Sequence, residues 1–253
     1  MMDLKEFLDE KYEQYNRPEF IETDPVSIPH LFNFDEDIEI AGFLAATLSW
    51  GQRKTIINKS RELLQLMDNR PYRFILEADE TDFSALDNFC HRTFNSTDAL
   101  YFLHALKNIY TRHGGLRNVF ENGFGRQHDA CTAISRFRDI FFEFSDPART
   151  RKHIPDVGKG SAAKRLNMFL RWMVRVDNRG VDFGLWTGID PAWLKIPLDL
   201  HTGNIARKLE LLSRRQNDWQ SVCELTARLQ HFDPADPVKY DFALFSLGAF
   251  EKF

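Results

Sequence analysis

Hydrophobic residues recur along this chain with the period of an α-helix, in the i, i+3, i+4, i+7 pattern of a helix with one buried face. No stretch shows the sustained alternation of apolar and polar residues that is typical of a half-buried strand. The pattern predicts helices near residues 3–15, 38–50, 53–68, 97–113, 127–144, 161–176, 199–212, 218–230 and 236–250. The sequence therefore predicts an all-α protein.

Turn residues mark several of the helix ends. Gly114 and Gly115 are predicted to end the helix before them, because glycine readily adopts the backbone conformation that follows many helices. Asp199 stands just before a predicted helix, where a short acidic side chain caps the first backbone N–H groups. The segment 145–160 is polar and contains proline and glycine, so it is predicted to be a linker or a functional loop.

The length of 253 residues suits one large domain or two modest ones. The pattern fits a single all-α unit, 1–253, that could be divided into two helical lobes. Within it we distinguish an acidic N-terminal segment, 1–37, and a first helical layer, 38–145. The remainder, 146–253, contains a glycine-rich turn, a basic helix and the region of Asp199.

Composition narrows the class of protein. A hydrophobic content of 43% with 23 Phe is ample for a buried core and argues against global disorder. The acidic start of the chain does not resemble a signal peptide, and no apolar run approaches the roughly 18 residues that span a bilayer. The 3 Cys are widely separated and show no disulfide or metal spacing. We therefore expect a cytoplasmic protein without membrane contact, and its oligomeric state stays open.

Charge is unevenly distributed, although the net charge is only −4. Residues 1–40 hold twelve Asp and Glu against three Lys and Arg, whereas residues 149–179 hold nine Lys and Arg against two Asp. A local excess of positive charge can bind nucleic-acid phosphates whatever the total charge is. The alternative interpretation is an ordinary solvated basic face.

The basic helix 161–175 contains a candidate nucleophile. Ala162, Leu166, Phe169, Leu170 and Met173 share one face, which is predicted to be buried. The basic residues Lys164, Arg171 and Arg175 are spaced by seven and four positions and are predicted to form a stripe on the opposite side. The first turn of a helix disfavours a charged ammonium, which favours Lys164 as an amine nucleophile. An ordinary exposed lysine is the alternative.

Lys164 and Asp199 together are the pair that base-excision chemistry requires. An amine can attack the anomeric carbon of a nucleotide. A carboxylate can activate that amine and stabilise the positive charge that develops on the sugar. Asp199 and His201 also suggest a metal site, but no further ligands support one. We therefore predict neither a metal nor a cofactor.

Two polar turns are candidates for contacting DNA. The turn IPDVGKG before the basic helix is predicted to expose the amides of Gly158, Lys159, Gly160 and Ser161 to a phosphate. The second turn, between two predicted helices, carries Gln52 and Arg53, which could contact a base edge or enter a duplex. A solvated corner is the alternative there.

These segments resemble the helix-hairpin-helix DNA glycosylase superfamily, of the endonuclease III and archaeal 8-oxoguanine glycosylase type. LSWGQRKTIINK (48–59) is similar to the corner that supplies a duplex-probing glutamine, PDVGKGSAAK (155–164) to the hairpin, and PLDLHTGNIARKL (197–209) to the segment of the catalytic aspartate. FALFSLG (242–248) is similar to the closing helix. The chain also resembles an uncharacterised bacterial family of this length. The superfamily's four-cysteine iron–sulfur loop is absent, and Asp156 replaces a hairpin glycine.

The resemblance implies a two-lobed helical glycosylase that acts on a damaged or abasic site in double-stranded DNA. Lys164 and Asp199 would be catalytic. Alignment by the hairpin places Gly160 at the position of the superfamily lysine, whereas alignment by the lysine helix places Lys164 there, so Lys159 remains a rival nucleophile. Gln52, Arg53, the hairpin residues 158–161, Arg171, Arg175 and His201 would contact DNA.

Three functions remain open from the sequence. The first is a glycosylase, either with AP-lyase activity or with Asp199 activating water and no lysine. The second is a non-catalytic nucleic-acid-binding protein on the same scaffold. The third is a helical protein-interaction module that uses the acidic N-terminal segment.

Overall fold

The computed structural model describes residues 3–145, 148–251 and 253. Residues 1–2 of the predicted acidic segment, residues 146–147 of the predicted linker, and residue 252 lie outside the described residues. The protein is mainly helical, with 66% helix and 2% strand, so the predicted all-α class is confirmed.

The helices of the described residues account for every helix that the sequence predicted. The α-helices are α1 (Leu4–Tyr15), α2 (Pro18–Thr23), α3 (Asp35–Leu48), α4 (Arg53–Gln65), α5 (Pro71–Glu77), α6 (Glu80–Phe83), α7 (Ser96–Arg112), α8 (Gly115–Phe124), α9 (Ala130–Phe141), α10 (Lys164–Val174), α11 (Leu200–Lys208), α12 (Trp219–Gln230) and α13 (Asp241–Ser246). Single 3-10 turns occupy Pro25–Ser27, Pro29–Leu31, Ser84–Leu86, Gly125–Gln127, Thr150–His153, Val157–Lys159, Pro191–Trp193 and Pro237–Tyr240, and Leu247–Glu251 is a π-helical turn. Two short strands, β1 (Cys90–His91) and β2 (Phe94–Asn95), pair antiparallel.

The sequence pattern missed four helices: α2, α5, α6 and α8. The longest of them, α8, contains two asparagines and a second glycine inside the helix, all of which lower helix propensity. Packing overrides that preference, because Leu116, Val119 and Phe120 are buried. A Cβ atom at Gly123 would lie 2.9 Å from the Cα atom of Ala133 in α9. Glycine at this position therefore permits the close approach of α8 and α9.

The helices form two compact units. The first contains the residues up to Glu22 together with Asp156–Phe253, and the second contains Thr23–Pro155. The second boundary lies inside the predicted 145–160 linker. The predicted acidic segment, 1–37, is divided between the two units.

The second unit is built around α3, whose residues from Ile38 to Leu48 are all buried. The Phe43 ring of α3 lies 5.5 Å from the Phe137 ring and 5.7 Å from the Phe102 ring, measured between ring centroids. Aromatic pairs at such separations add to the free energy gained by burying their surface. An aromatic cluster thus joins α3 to α7 and α9.

The first unit has its own apolar core. Leu8 of α1 packs there among buried residues of α11, α12 and α13. The core residues are Leu8, Ile196, Leu198, Ile205, Ala206, Leu211, Leu212, Val222, Leu225, Leu229, Tyr240, Ala243, Leu244 and Leu247. The acidic N-terminal helix is therefore an integral part of this unit.

A buried set of ion pairs lies beside that core. Arg171 of α10 is buried, with its Nη1 atom 2.5 Å from Asp241 Oδ2 and its Nε atom 3.3 Å from Asp182 Oδ1. Both acceptors are themselves buried. A buried charge is tolerated when it is paired and hydrogen-bonded in this way.

Arg175, one turn further along, extends the same set. Its Nε atom lies 2.8 Å from Asp236 Oδ2 and its Nη1 atom 3.2 Å from Asp182 Oδ2, and it also pairs with Asp177. Its Nη2 atom donates to the Tyr12 hydroxyl at 2.6 Å. We call Arg171, Arg175, Asp177, Asp182, Asp236 and Asp241 the arginine network.

Lys164, Arg171 and Arg175 were predicted to form a basic stripe opposite the buried face, but Arg171 and Arg175 are themselves buried. Every residue of α10 from Leu166 to Val174 is buried, so both sides of the helix are covered. Four of the five residues predicted for the buried face, Leu166, Phe169, Leu170 and Met173, are buried, whereas Ala162 is half-buried and precedes the helix. The opposite side is buried because carboxylates 61 and 70 positions away in sequence pair with its arginines.

Within the described residues, no helix combines the length and the apolarity needed to cross a membrane.

The arginine network yields a test of stability. We expect Arg175→Met to lower the free energy of unfolding by about 3–5 kcal/mol, because it removes the arginine partner of Asp177 and Asp236 and one of the two arginine partners of Asp182. Arg179 pairs with Glu13 at the surface, so Arg179→Met is the matched control and should cost at most about 1 kcal/mol. Urea unfolding followed by circular dichroism measures both values. Equal losses for the two variants would contradict the structural role of the network.

Candidate active site

Lys164 lies in the first turn of α10, as predicted, and is the first residue of the helix. The sequence predicted a helix over 161–176, but Ala163 has φ 48°, a left-handed conformation that precedes the first turn. Lys164 is half-buried, and its Nζ atom lies 3.5 Å from the Sδ atom of Met168. The amine is thus held along the surface of its own helix.

Asp199 is the N-cap of α11, as the sequence predicted. Its Oδ1 atom accepts a hydrogen bond from the Thr202 amide at 2.9 Å. Its backbone oxygen accepts from the Gly203 amide at 2.9 Å and from Asn217 Nδ2 at 3.0 Å. A capping carboxylate has a restricted orientation, and Asp199 is half-buried.

Asp241 links these two residues electrostatically. Burial raises the pKa of the Asp241 carboxyl to about 7, against the opposing charge of Arg171. The charge of Asp199 adds to this rise in pKa, and the charge of Lys164 opposes it. The charges of the amine and of the capping carboxylate therefore both act on one buried acid.

Sequence analysis did not identify Asp241. The residue lies among Tyr240, Phe242 and Ala243 in a pattern that predicts an ordinary buried helix. An acidic residue at a core position of that pattern was the available signal, because buried carboxylates are rare without partners. Its partner, Arg171, is 70 positions away.

The glycine-rich turn before α10 is closed by its own hydrogen bonds. The Asp156 side chain accepts from the Lys159 amide at 3.2 Å, the Gly160 amide donates to the Val157 carbonyl at 3.0 Å, and the Ser161 amide donates to the Asp156 carbonyl at 3.1 Å. The expectation that these amides are exposed for a phosphate is therefore corrected for Lys159, Gly160 and Ser161. Asp156, which stands where the hairpin motif has glycine, stabilises the turn. Gly158 is exposed.

A segment that the sequence did not single out connects this turn to Asp199. The Trp219 amide donates to the Gly160 carbonyl at 3.0 Å, and Ser161 forms an isolated β-bridge with Asp218. Asn217, the neighbouring residue, donates to the backbone of Asp199. Residues 217–219 therefore hold the glycine-rich turn and the start of α11 together.

The rival lysine, Lys159, has different surroundings. Its side chain is 84% exposed, and its Nζ atom lies 3.8 Å from Asp156 Oδ2. Lys164 is half-buried and interacts electrostatically with Asp241. Of the two lysines, Lys164 is therefore the more enclosed.

Two residues that were expected to contact DNA are enclosed in the protein. Arg171 and Arg175 are 3% and 1% exposed, and their guanidinium groups bind carboxylates of the arginine network. Their assignment as phosphate contacts is therefore corrected. His201 differs, because it is exposed on α11 and its ring centroid lies 6.2 Å from that of Phe245.

The second unit contains the predicted polar corner. α3 ends at Leu48 and α4 begins at Arg53, so Gln52 occupies the N-cap position between them. Gln52 is exposed and its side chain makes no capping hydrogen bond, whereas Arg53 is half-buried. The corner exists as predicted and presents an amide side chain to solvent.

Among the described residues, no group of three or more His, Cys, Asp or Glu could hold a metal ion. Lys164, Asp199 and Asp241 instead combine one amine with two carboxyl groups. This arrangement suits proton transfer and nucleophilic attack.

Comparison with known families gives one match. A family model described as a protein of unknown function, DUF2400, matches residues 24–250. The chain belongs to the DUF2400 family. The matched range includes Lys164, Asp199 and Asp241. No curated protein and no solved structure matches the chain.

The raised pKa of Asp241 generates a prediction about pH and stability. The folded state holds the proton of this carboxyl up to about pH 7, whereas the unfolded chain releases it near the ordinary value of 3.8. The folded state therefore binds more protons between about pH 4 and pH 7, so this group lowers the free energy of unfolding as the pH rises through that window. We expect Asp241→Asn to remove this decline, which is on the order of a few kcal/mol.

Urea unfolding of both proteins at pH 5, 6, 7 and 8 measures the effect. The original protein should lose stability relative to Asp241→Asn up to about pH 7, and the difference should then become constant. Parallel stability curves from pH 5 to pH 8 would show that Asp241 does not titrate in this range.

Proposed function

We propose that this protein is a DNA base-excision glycosylase that uses Asp199 and Lys164 to remove a damaged base from duplex DNA. The observation that carries the proposal is that residues 217–219 hold the turn before Lys164 to the start of α11 at Asp199 by hydrogen bonds. An amine and an oriented carboxylate near a third titratable group meet the chemical needs of base excision. The resemblance of segments 155–164 and 197–209 to glycosylase motifs supports the same assignment.

Asp199 has the role of stabilising positive charge. When the bond between the base and the sugar lengthens, positive charge develops at C1′ and the ring oxygen of the sugar. A carboxylate held in a fixed direction stabilises that charge without having to reorganise. The cap hydrogen bond from Thr202 supports this role, because it restricts the direction of the carboxylate.

Lys164 has the role of nucleophile in the bifunctional form of the reaction. Its neutral amine forms a bond to C1′ while the bond from C1′ to the base breaks, and the departing base keeps the electron pair and takes up a proton. Opening of the sugar ring then gives a Schiff base between Lys164 and C1′. Loss of a proton from C2′ and departure of the 3′ phosphate cleave the strand.

Substrate contacts are assigned to exposed residues. Gln52 lies at an exposed helix corner, Lys159 is almost fully exposed beside α10, and His201 is exposed two residues after Asp199. Contacts to phosphates position a duplex, whereas an amide side chain can also contact a base edge. The target nucleotide has to leave the stack before its C1′ atom becomes accessible.

Trapping with borohydride tests this proposal. The protein is incubated with duplexes that contain an abasic site or one of a panel of oxidised, deaminated and alkylated bases, and borohydride reduces any Schiff base to a stable adduct. We expect a covalent adduct that Lys164→Gln abolishes and that Lys159→Gln retains. We expect Asp199→Asn to slow base release by about 10²–10⁴-fold, while the asparagine keeps the helix cap.

Each other outcome has a defined meaning. Base release without an adduct would assign a monofunctional reaction, in which Asp199 activates water and Lys164 is not the nucleophile. Salt-sensitive DNA binding without base release from any lesion, unchanged in Asp199→Asn, would contradict the glycosylase proposal. It would instead indicate a nucleic-acid-binding protein without this chemistry.

A further inference from the structure

The short hairpin of the second unit presents an arginine at its tip. β1 and β2 are joined by Arg92 and Thr93, and Arg92 has φ 56°, as a tight turn requires. The hairpin is anchored by His91, which is buried and whose ring centroid lies 4.9 Å from that of Trp50. Arg92 itself is exposed. A fixed backbone thus carries a cationic side chain into solvent.

A second arginine, from a distant segment, is bound to the same tip. The Nη2 atom of Arg149 donates to the Thr93 carbonyl at 3.1 Å and to Asp98 Oδ2 at 3.1 Å. The Arg149 side chain is nevertheless 47% exposed. Among the described residues, none accepts a hydrogen bond from its Nε or Nη1 atoms. The guanidinium group is therefore held in place while part of it remains available to a ligand.

Asp98 is the buried group that orients Arg149. It is 0% exposed, accepts a hydrogen bond from the Thr150 hydroxyl at 2.8 Å, and lies 3.3 Å from His153 Nε2. Although burial opposes ionisation, hydrogen bonds from the Asn95 amide and the Thr150 hydroxyl hold the pKa of the Asp98 carboxyl below its ordinary value. A buried carboxylate that stays charged is a firm anchor for a partly exposed guanidinium.

The hairpin tip also adjoins the polar corner that precedes α4. A Cβ atom at Gly51 would lie 2.7 Å from Arg92 Nη1, so the arginine lies directly against the backbone of this glycine. The next residue, Gln52, is exposed. Three segments of the second unit, around residues 51, 92 and 149, therefore meet at one surface.

We propose that Arg92 and Arg149 form a binding surface for the phosphodiester backbone of duplex DNA. Guanidinium groups with donors still available pair with phosphate oxygens in a bidentate manner. Among the described residues, the carboxylate that binds Arg149 is that of Asp98, which is buried and already paired, so the charge that these two arginines expose is positive. The choice of DNA as ligand rests on the proposed function, but the surface contains neither Lys164 nor Asp199 and does not require base excision.

Salt-dependent binding tests this surface in the full-length protein. A fluorescein-labelled, undamaged duplex of 20 base pairs is titrated at several NaCl concentrations between 50 and 200 mM, and fluorescence anisotropy reports Kd. We expect Arg92→Ala and Arg149→Ala each to weaken binding about tenfold at 50 mM NaCl. Each should also reduce the slope of log Kd against log salt concentration by about 1, because one phosphate contact is lost.

Two further variants make the comparison specific. Arg126→Ala removes an exposed arginine elsewhere in the same unit and should leave both Kd and the slope unchanged. Arg149→Lys keeps the charge but lacks the forked donor geometry, so we expect its affinity to lie between those of Arg149→Ala and the original protein. Circular dichroism checks that Arg149→Ala remains folded, and the tip variant Arg92→Ala gives an independent measurement if it does not.

The outcomes separate this inference from the proposed function. If base release is absent but Arg92→Ala reduces the salt slope, the glycosylase proposal fails and the binding surface stands. If base release occurs while Arg92→Ala and Arg149→Ala behave like Arg126→Ala, the binding surface is wrong. Absence of duplex binding at 50 mM NaCl would also overturn it. So would tighter binding to single-stranded RNA of equal length that depends on the same two arginines.

Discussion

Two guanidinium groups buried in α10 neutralise the buried aspartates of the first unit. Arg171 and Arg175 bind carboxylates from 177–182 and 236–241, and Arg175 also reaches the Tyr12 hydroxyl of α1. Removing either arginine would leave charges that the protein interior cannot solvate. The network therefore joins the beginning, the middle and the end of this unit.

The same network shapes the candidate active site. Its four aspartates outnumber its two arginines, and burial raises the pKa of both Asp241 and Asp236. Asp241 is the member that interacts electrostatically with Lys164 and Asp199. A proton bound by Asp241 changes the charge that both residues experience. Asp241 therefore takes part both in the packing of the first unit and in the chemistry proposed for its surface.

A carboxylate that orients an arginine occurs in both units, with different consequences. Asp241 binds Arg171 where both side chains are covered, so this guanidinium is enclosed in the protein. Asp98 is also buried, but Arg149 is about half exposed, so that guanidinium can also meet a ligand. Exposure of the arginine, rather than the presence of an ion pair, distinguishes an internal contact from a candidate binding contact. A sequence does not show this exposure, so Arg171 and Arg175 were assigned to DNA from sequence, whereas Arg149 was not.

The sequence by itself determined the helical class, the buried face of α10, the cap at Asp199 and the exposed corner at Gln52. Each of these depends on local periodicity or on residues within one turn, which a sequence displays directly. Tertiary structure decided the burial of Arg171 and Arg175, the influence of Lys164 and Asp199 on the pKa of the buried Asp241, and the hydrogen bond of Arg149 to Thr93 beside Arg92. Tertiary structure also made residues 115–124 helical, because α8 is stabilised by its contact with α9 at Gly123. Those features depend on residues that are far apart in the chain. A local sequence pattern does not show which distant residue will pair with a charge or pack against a side chain.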